Sequence, residues 1–209
     1  MGFWSSVCSA VSSVCSSVCS VASSAVSMVK EIGSMAVEGL RGVASVICNI
    51  AQSLGFMEKN ENPIDLGDKI IQAEDSGITL ASCDGDYEKY MTEIRNFKVD
   101  DEKSKLTADK DKLTACSVVM GARIENHYGV SIAPLIPLMG RNPDFFNGGR
   151  LKAMLDKGLS ILKIGDYFSS NLERKDAAPV EATLVQNEKT LSPSSSDAEL
   201  KDMLRSMRE

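Results

Sequence analysis

Few side chains in this sequence have the types and spacing that acid–base or metal chemistry needs. The 209 residues include one histidine, His127, and six cysteines, none of them in a C-x-x-C pair. One histidine cannot complete the usual zinc ligand sets. No glycine-rich phosphate loop, G-x-S-x-G motif or H-E-x-x-H motif is present. We therefore expect a protein that is not an enzyme and that binds no metal ion or other cofactor.

Serine is the polar residue that dominates the start of the chain. Residues 1–29 carry no charged side chain, and eleven serines lie between Ser5 and Ser27. A serine hydroxyl can donate to the carbonyl one turn earlier in a helix, so it enters an apolar medium at modest cost. Six of these serines share one helical face and are candidates to line a pore: Ser9, Ser13, Ser16, Ser20, Ser24 and Ser27.

Apolar residues in the same stretch recur at intervals of three and four. This spacing is typical of one face of an amphipathic helix, whereas a strand would alternate every two residues. It predicts helices over roughly residues 5–32 and 35–55, with a bend or hairpin between them. The residues expected to face lipid or neighbouring copies, here called the apolar stripe, are Val7, Val11, Val14, Val18, Val21, Met28 and Ile32.

The composition of this stretch conflicts with its pattern, because Ser, Val and Cys are weak helix formers. The helix therefore needs a surface to lie against: the same chain, copies of itself, a chaperone or a bilayer. Phe3 and Trp4 suit an anchor at the depth of the lipid headgroups, and they equally suit a plug into the protein's own core. Lipidation at Gly2 stays open.

The cysteines, like Phe3 and Trp4, suit either the protein's own core or a membrane surface. We expect Cys8, Cys15 and Cys19, which share one face of a helix, to act as small hydrophobic residues. The six thiols fit a reducing compartment as the place of synthesis. Acylation of Cys8, Cys15 and Cys19 also stays open. The chain shows neither the basic and apolar regions of a secretory signal nor a strong apolar run of transmembrane length. We expect synthesis in the cytoplasm without a signal peptide, followed by secretion or injection and action at a target membrane.

Charge sets the rest of the chain apart from its start. The formal net charge is −6 and no basic block is present, which argues against binding to nucleic acid. Residues 64–172 predict a helical body whose clearest helix lies over 150–172. The ten uncharged residues 130–139 contain two prolines and suit a core segment, a partner-binding loop or a loop that dips into a membrane.

The last part of the chain is polar and proline-containing over residues 173–196, which predicts a flexible linker. A short helix is expected to follow it, because Ser196 and Glu199 form a capping box. The fold class is therefore mainly α. Three regions are predicted: residues 1–57 as an amphipathic helical hairpin that is active at membranes, 64–172 as the helical body, and 173–209 as linker and carboxy-terminal helix.

At the level of class, the small-residue helices of residues 3–57 on a helical body resemble small bacterial pore-forming effectors such as those moved by type VI secretion. The resemblance rests on general features and transfers no individual residue. It implies homo-oligomers in a bilayer, passage of ions without lysis, and a cognate immunity protein or chaperone. The alternative is a structural or adaptor component of a multi-copy assembly, such as a virion or a secretion apparatus.

Overall fold

The computed structural model describes residues 22–208, and these residues confirm a mainly α fold with no strand among them. A 3-10 turn, Ala133–Leu135, precedes α7. The α-helices are α1 (Ala22–Ser34), α2 (Val37–Ser53), α3 (Pro63–Asp75), α4 (Tyr87–Asn96), α5 (Asp101–Leu106), α6 (Asp109–Tyr128), α7 (Ile136–Arg141), α8 (Gly148–Asp156), α9 (Ile161–Phe168), α10 (Arg174–Leu191) and α11 (Asp197–Ser206).

Short polar side chains determine where many of these helices begin. At each such position an oxygen accepts a hydrogen bond from a backbone N–H of the first turn. The predicted capping box of α11 is present: Ser196 accepts from the Glu199 N–H, and the Glu199 carboxylate accepts from the Ser196 N–H. The residues that cap helices in this way are Asn62, Asp86, Asp100, Asn147, Ser160 and Ser196.

The long helix α6 lies at the centre of the core, with α2 and α3 packed against it. The approach of α3 is so close that a Cβ on Gly67 would lie 1.9 Å from the carbonyl oxygen of Lys112. Only glycine permits this backbone contact. Gly67 therefore determines how near α3 comes to α6, and with it the depth of the core between these helices.

The uncharged segment 130–139 lies in the core. Ile132, Leu135 and Ile136 are almost completely buried. Proline stands near the start of both the 3-10 turn and α7, where its missing N–H costs no helical hydrogen bond. Of the three interpretations that the sequence left open, the structure shows the core segment.

The helix predicted over 150–172 is two helices, α8 and α9. Gly158 interrupts it with a φ of +64°, a left-handed conformation that glycine adopts without strain. Ser160 then begins α9 by accepting a hydrogen bond from the Lys163 N–H. A glycine followed two residues later by a capping serine is typical of the end of one helix and the beginning of the next. The continuous apolar spacing over 150–172 gave no sign of this break.

The flexible linker expected at 173–196 is wrong for most of its length, because α10 spans Arg174–Leu191. The buried face of α10 includes Glu181 and Glu188 among apolar residues. Glu181 pairs with Arg205 at 2.7 Å and Glu188 with Arg150 at 2.8 Å. A helical face that contains two acids looks polar in the sequence, although arginines from other helices neutralise both of them here.

Candidate functional site

The apolar stripe enters the described part of the chain at α1. Met28 and Ile32 are fully buried, whereas Ser27 and Lys30 are exposed. The buried residues lie four apart and therefore share one face of the helix. α1 is thus an amphipathic helix in the register that the sequence spacing predicts.

Gly121 of α6 forms the seat of Met28. A Cβ on Gly121 would lie 2.6 Å from the Met28 sulfur, and it would also meet Ile47 of α2 at 3.7 Å. The missing side chain therefore leaves the space that the methionine fills. At the end of α1, the ammonium of Lys110 donates to the carbonyl oxygen of Gly33 at 3.3 Å. These contacts hold the last turns of α1 on the body.

The connection between α1 and α2 is short and weakly capped. Ala36 occupies the N-cap position of α2 and has no side chain that can accept a hydrogen bond. Met35 lies over Gly140 of α7, where an added Cβ would lie 3.3 Å from its methyl group. Gly39 and Gly140 also bring the backbones of α2 and α7 close together, since a Cβ on Gly39 would lie 3.8 Å from the Gly140 oxygen.

α2 belongs to the core of the body. Its residues Leu40, Val43 and Ile47 are fully buried, and its polar positions Arg41 and Asn49 are exposed. The sequence pattern predicted that α2 belongs with the amino-terminal segment 1–57. In the structure α2 is continuous with the helical body, because it packs on α6, α7 and α8.

The structure describes the side chains of only a few of the predicted site residues. Met28 and Ile32, expected to face lipid or other copies, contact the body of the same chain instead. The remaining predicted residues lie outside the part whose side chains the structure describes, except Ser27. They are the stripe residues Val7, Val11, Val14, Val18 and Val21, the hydroxyls Ser9, Ser13, Ser16, Ser20 and Ser24, and the anchor Phe3 and Trp4.

None of the helices within residues 22–208 combines the length and the apolar character that crossing a membrane requires.

Three cysteines fall within the described residues, and all three are buried free thiols. Cys48 of α2 and Cys116 of α6 bring their sulfurs to 3.9 Å. The hydrogen bond with Cys48, together with burial, raises the pKa of the Cys116 thiol. A neutral buried thiol is a poor nucleophile, so Cys116 acts here as a packing residue.

A buried carboxyl group that sequence analysis did not single out lies at the end of α3. The hydroxyl of Tyr90 donates to one oxygen of Glu74 at 2.7 Å, and the other oxygen has no hydrogen-bond partner among the described residues. Burial raises the pKa of Glu74 to about 7, although the Tyr90 hydrogen bond opposes this and Asp75 adds to it. Glu74 therefore titrates near neutral pH.

Aromatic rings surround the single histidine and a nearby arginine. The guanidinium of Arg123 lies between the rings of Phe56 and Tyr87, 4.7 and 4.6 Å from their centroids. His127 contacts the Phe56 ring edge-on at 5.5 Å and the Tyr128 ring at 4.8 Å. Cation–π and edge-to-face contacts of this kind stabilise packing between helices.

Basic residues converge on a cleft between α10 and α11, which sequence analysis also missed. Arg174, Arg205 and Arg208 line it together with Glu181. These arginines stand in separate parts of the sequence, and two of them lie in or after a helix that was predicted to be only a short appendage. No local motif brings them together, because the docking of α11 on α10 creates the cleft.

Comparison of the chain with protein-family models, with curated proteins and with solved structures found no match.

Proposed function

We propose that the protein is a membrane-active, pore-forming toxin or effector, and that its inserting element is the amino-terminal stretch that ends at α1. The supporting observation is that α1 is an amphipathic helix whose buried residues Met28 and Ile32 continue the apolar stripe of the uncharged sequence before it. A helix of this kind has one face suited to lipid and one suited to water or to other copies.

The length and the hydroxyl groups of the stretch support the same function. Residues 3–29 carry no charge and, as a helix, would extend about 40 Å, which exceeds the roughly 30 Å hydrocarbon core of a bilayer. A single copy would leave its serines facing lipid. Several copies can turn the hydroxyl faces inward around water and the valine faces outward, as small residues allow helices to approach closely.

Insertion by this route requires α1 to leave its seat on the body. The seat consists of a methionine in a glycine notch, a second buried residue, Ile32, and the Lys110 hydrogen bond to Gly33. α2 stays with the body, because its apolar face is covered on several sides. The inserting element that we propose therefore ends before Val37, which is shorter than the 1–57 segment expected from the sequence.

Ion flux across liposomes tests this proposal. The full chain is added to vesicles loaded with a potassium- or pH-sensitive dye, alone and as the variants Val14→Asp and Val18→Asp. An aspartate at the centre of a membrane helix costs about 3 kcal/mol, so each substitution is expected to reduce flux by roughly a hundredfold. Flux that persists in both variants would overturn the assignment of the valine face to lipid.

Val37→Asp is the matched control, because Val37 is 43% exposed at the first position of α2. An acid there is favourable near the positive end of the helix dipole. The control introduces the same charge outside the stripe and is expected to keep the flux of the unchanged chain.

A second function is favoured by one specific observation, the complete burial of Met28 and Ile32 against the body. An adaptor or structural component of a multi-copy assembly would keep α1 seated and use the preceding residues to pack against other copies. Analytical ultracentrifugation with and without vesicles separates the two functions. A stable soluble oligomer that neither binds vesicles nor passes ions supports the adaptor.

Under the pore proposal the further partners are a lipid bilayer, copies of the same chain, and a cognate immunity protein or chaperone that protects the producing cell. Production of the protein in the cytoplasm and in the periplasm of a bacterium checks this. Growth inhibition only after export would support action on the membrane from its outer side.

A further inference from the structure

An arginine-lined cleft at the carboxy-terminal end of the described chain is not used by the proposed pore. Three guanidinium groups and one carboxylate surround it, those of Arg174, Arg205, Arg208 and Glu181. Its volume is about 480 Å³. The lining therefore carries a net charge of +2 on one side of a molecule whose overall charge is −6.

The carboxylate of Glu181 neutralises only Arg205, so the net charge of +2 on the lining belongs to Arg174 and Arg208. Arg205 donates two hydrogen bonds to this carboxylate, at 2.9 and 2.7 Å, and the hydroxyl of Tyr167 donates a third at 2.9 Å. The hydrogen bonds from Arg205 hold the pKa of Glu181 below its usual range, despite some desolvation. The acid is thus an ionised anchor that positions Arg205 at the edge of the cleft.

Arg208 is held in place while leaving donors unused. Its Nε donates to the carbonyl oxygen of Tyr167 at 3.0 Å, and its guanidinium stacks on the Tyr167 ring at 4.6 Å. A guanidinium carries five N–H donors. The terminal nitrogens of Arg208 have no hydrogen-bond partner among residues 22–208. The guanidinium is therefore held in a fixed position in the cleft lining with donors available for a ligand.

Arg174 makes no ion pair or hydrogen bond through its side chain within the described chain. It is the first residue of α10, and the residue before it, Glu173, gives this helix no side-chain cap. The neighbouring ion pair is local and exposed, since Lys175 binds Glu173 at 3.1 Å. A free guanidinium is therefore present beside backbone N–H groups at the positive end of an 18-residue helix.

The remaining wall of the cleft is apolar and is formed by Leu172, Ala177 and Ala178. A planar guanidinium binds carboxylates and phosphates in the same two-point manner. A net charge of +2 matches a dianion better than a single carboxylate, and the apolar wall suits a carbon skeleton attached to it. These features together select a phosphate monoester over a bare monovalent anion.

We propose that the cleft between α10 and α11 is a binding site for a phosphate monoester group, held by Arg174 and Arg208 beside the Glu181–Arg205 pair. The group has two possible sources, a soluble organic phosphate and the headgroup of a phosphatidic-acid-type lipid. The site lies outside the amino-terminal element and does not depend on the pore proposal.

Titration of the full chain with chemically defined probes tests the site. The probes are glycerol 3-phosphate, followed by calorimetry, and phosphatidylcholine vesicles with and without 10% phosphatidic acid, followed by co-sedimentation. Saturable binding of glycerol 3-phosphate identifies a soluble source, and binding to phosphatidic acid vesicles alone identifies the lipid. Vesicles with phosphatidylglycerol, a phosphodiester, separate monoester recognition from general attraction to negative surfaces.

Arg174→Gln is the decisive variant, because the Arg174 side chain makes no ion pair or hydrogen bond among residues 22–208. It is expected to weaken binding roughly tenfold, as loss of one charge-assisted pair does. Lys175→Gln removes the same charge one residue away, outside the cleft lining, and is expected to change affinity less than about twofold. Affinity should also fall below about pH 6, where a monoester takes up its second proton.

The proposal is overturned if Arg174→Gln and Lys175→Gln weaken binding equally. It is also overturned if the protein binds phosphatidylglycerol vesicles as well as phosphatidic acid vesicles, or if no probe binds saturably at millimolar concentration. Arg208→Gln provides a second check, with a melting temperature measured alongside because Arg208 also stacks on Tyr167. A loss of affinity without a loss of folded protein supports the site, and unchanged affinity in both arginine variants contradicts it.

Discussion

At the scale of single residues, buried charged groups distinguish this protein from a purely apolar helical bundle. Asp68 of α3 and Lys112 of α6 form an ion pair at 3.0 Å with side chains less than a tenth exposed. The hydroxyl of Ser104 also donates to Asp68, and the amide of Gln72 donates to its other oxygen at 3.0 Å. Because every partner is present, the pair can exist in the interior without an uncompensated charge.

Glu74 gives a prediction about pH. Its pKa is raised to about 7 in the folded protein, whereas an unfolded chain ionises near 4.3. Between these values the folded state binds more protons than the unfolded state, so stability is fully present below the unfolded pKa and falls as pH rises toward 7. The contribution of Glu74 to this fall is about 3 kcal/mol.

Glu74→Gln removes the ionisation and keeps an acceptor for the Tyr90 hydroxyl. Chemical denaturation at pH 5 and pH 8 is expected to show a smaller pH-dependent loss of stability in the variant than in the unchanged chain. The matched control is Glu93→Gln, which removes an exposed carboxyl group of α4 by the same substitution and leaves the buried one. An equal slope with pH in Glu74→Gln and the unchanged chain would contradict the assignment.

At the scale of elements, the contact between α3 and α6 depends on the missing side chain of Gly67. Gly67→Ala would place a methyl group 1.9 Å from the Lys112 carbonyl oxygen, and a backbone atom cannot move aside as the end of a side chain can. We expect a loss of at least about 3 kcal/mol in the free energy of unfolding. Thermal and urea denaturation measure it.

Gly149→Ala is the control for this prediction. Gly149 also lies in a helix, α8, but a Cβ there would approach nothing closer than 3.6 Å, the side-chain oxygen of Asn147. Alanine at an unhindered helical position stabilises a protein by up to about 1 kcal/mol. If Gly67→Ala and Gly149→Ala had the same effect, the backbone contact would not be the cause.

At the scale of the whole molecule, the seating of α1 connects the body to the amino-terminal element. Gly121→Leu would fill the notch that Met28 occupies. Overpacking of this kind lowers the free energy of unfolding by about 1–3 kcal/mol. We expect detachment of α1 from the body to remove the clash. We expect faster tryptic cleavage after Lys30 and, under the pore proposal, faster onset of ion flux.

The double variant Gly121→Leu, Met28→Ala is the control. It adds side-chain volume on α6 and removes a similar volume on α1, so the contact is no longer overpacked. If the fit of Met28 against Gly121 holds α1 on the body, the double variant is expected to restore slow cleavage after Lys30. Cleavage at an unchanged rate in Gly121→Leu would show that Met28 does not hold α1. Restored seating without restored delay of flux would show that release of α1 does not limit insertion.

The sequence by itself determined much of the local structure. The three-and-four spacing predicted α1 and α2, and the Ser196–Glu199 pair predicted the start of α11, because caps and helical periodicity act over a few residues. The absence of charge in residues 1–29 likewise needs no coordinates. This uncharged stretch is the basis of the proposed function.

Only the tertiary structure decided which polar residues are buried and which helix faces are covered. α10 looked like a linker because its buried face contains Glu181 and Glu188, and the arginine that neutralises Glu188 lies 38 residues earlier in the chain. The same long-range packing covers Met28 and assembles the arginine cleft. A partner so distant in sequence leaves no local pattern, since the energy that buries a charge comes from a neighbour that only folding supplies.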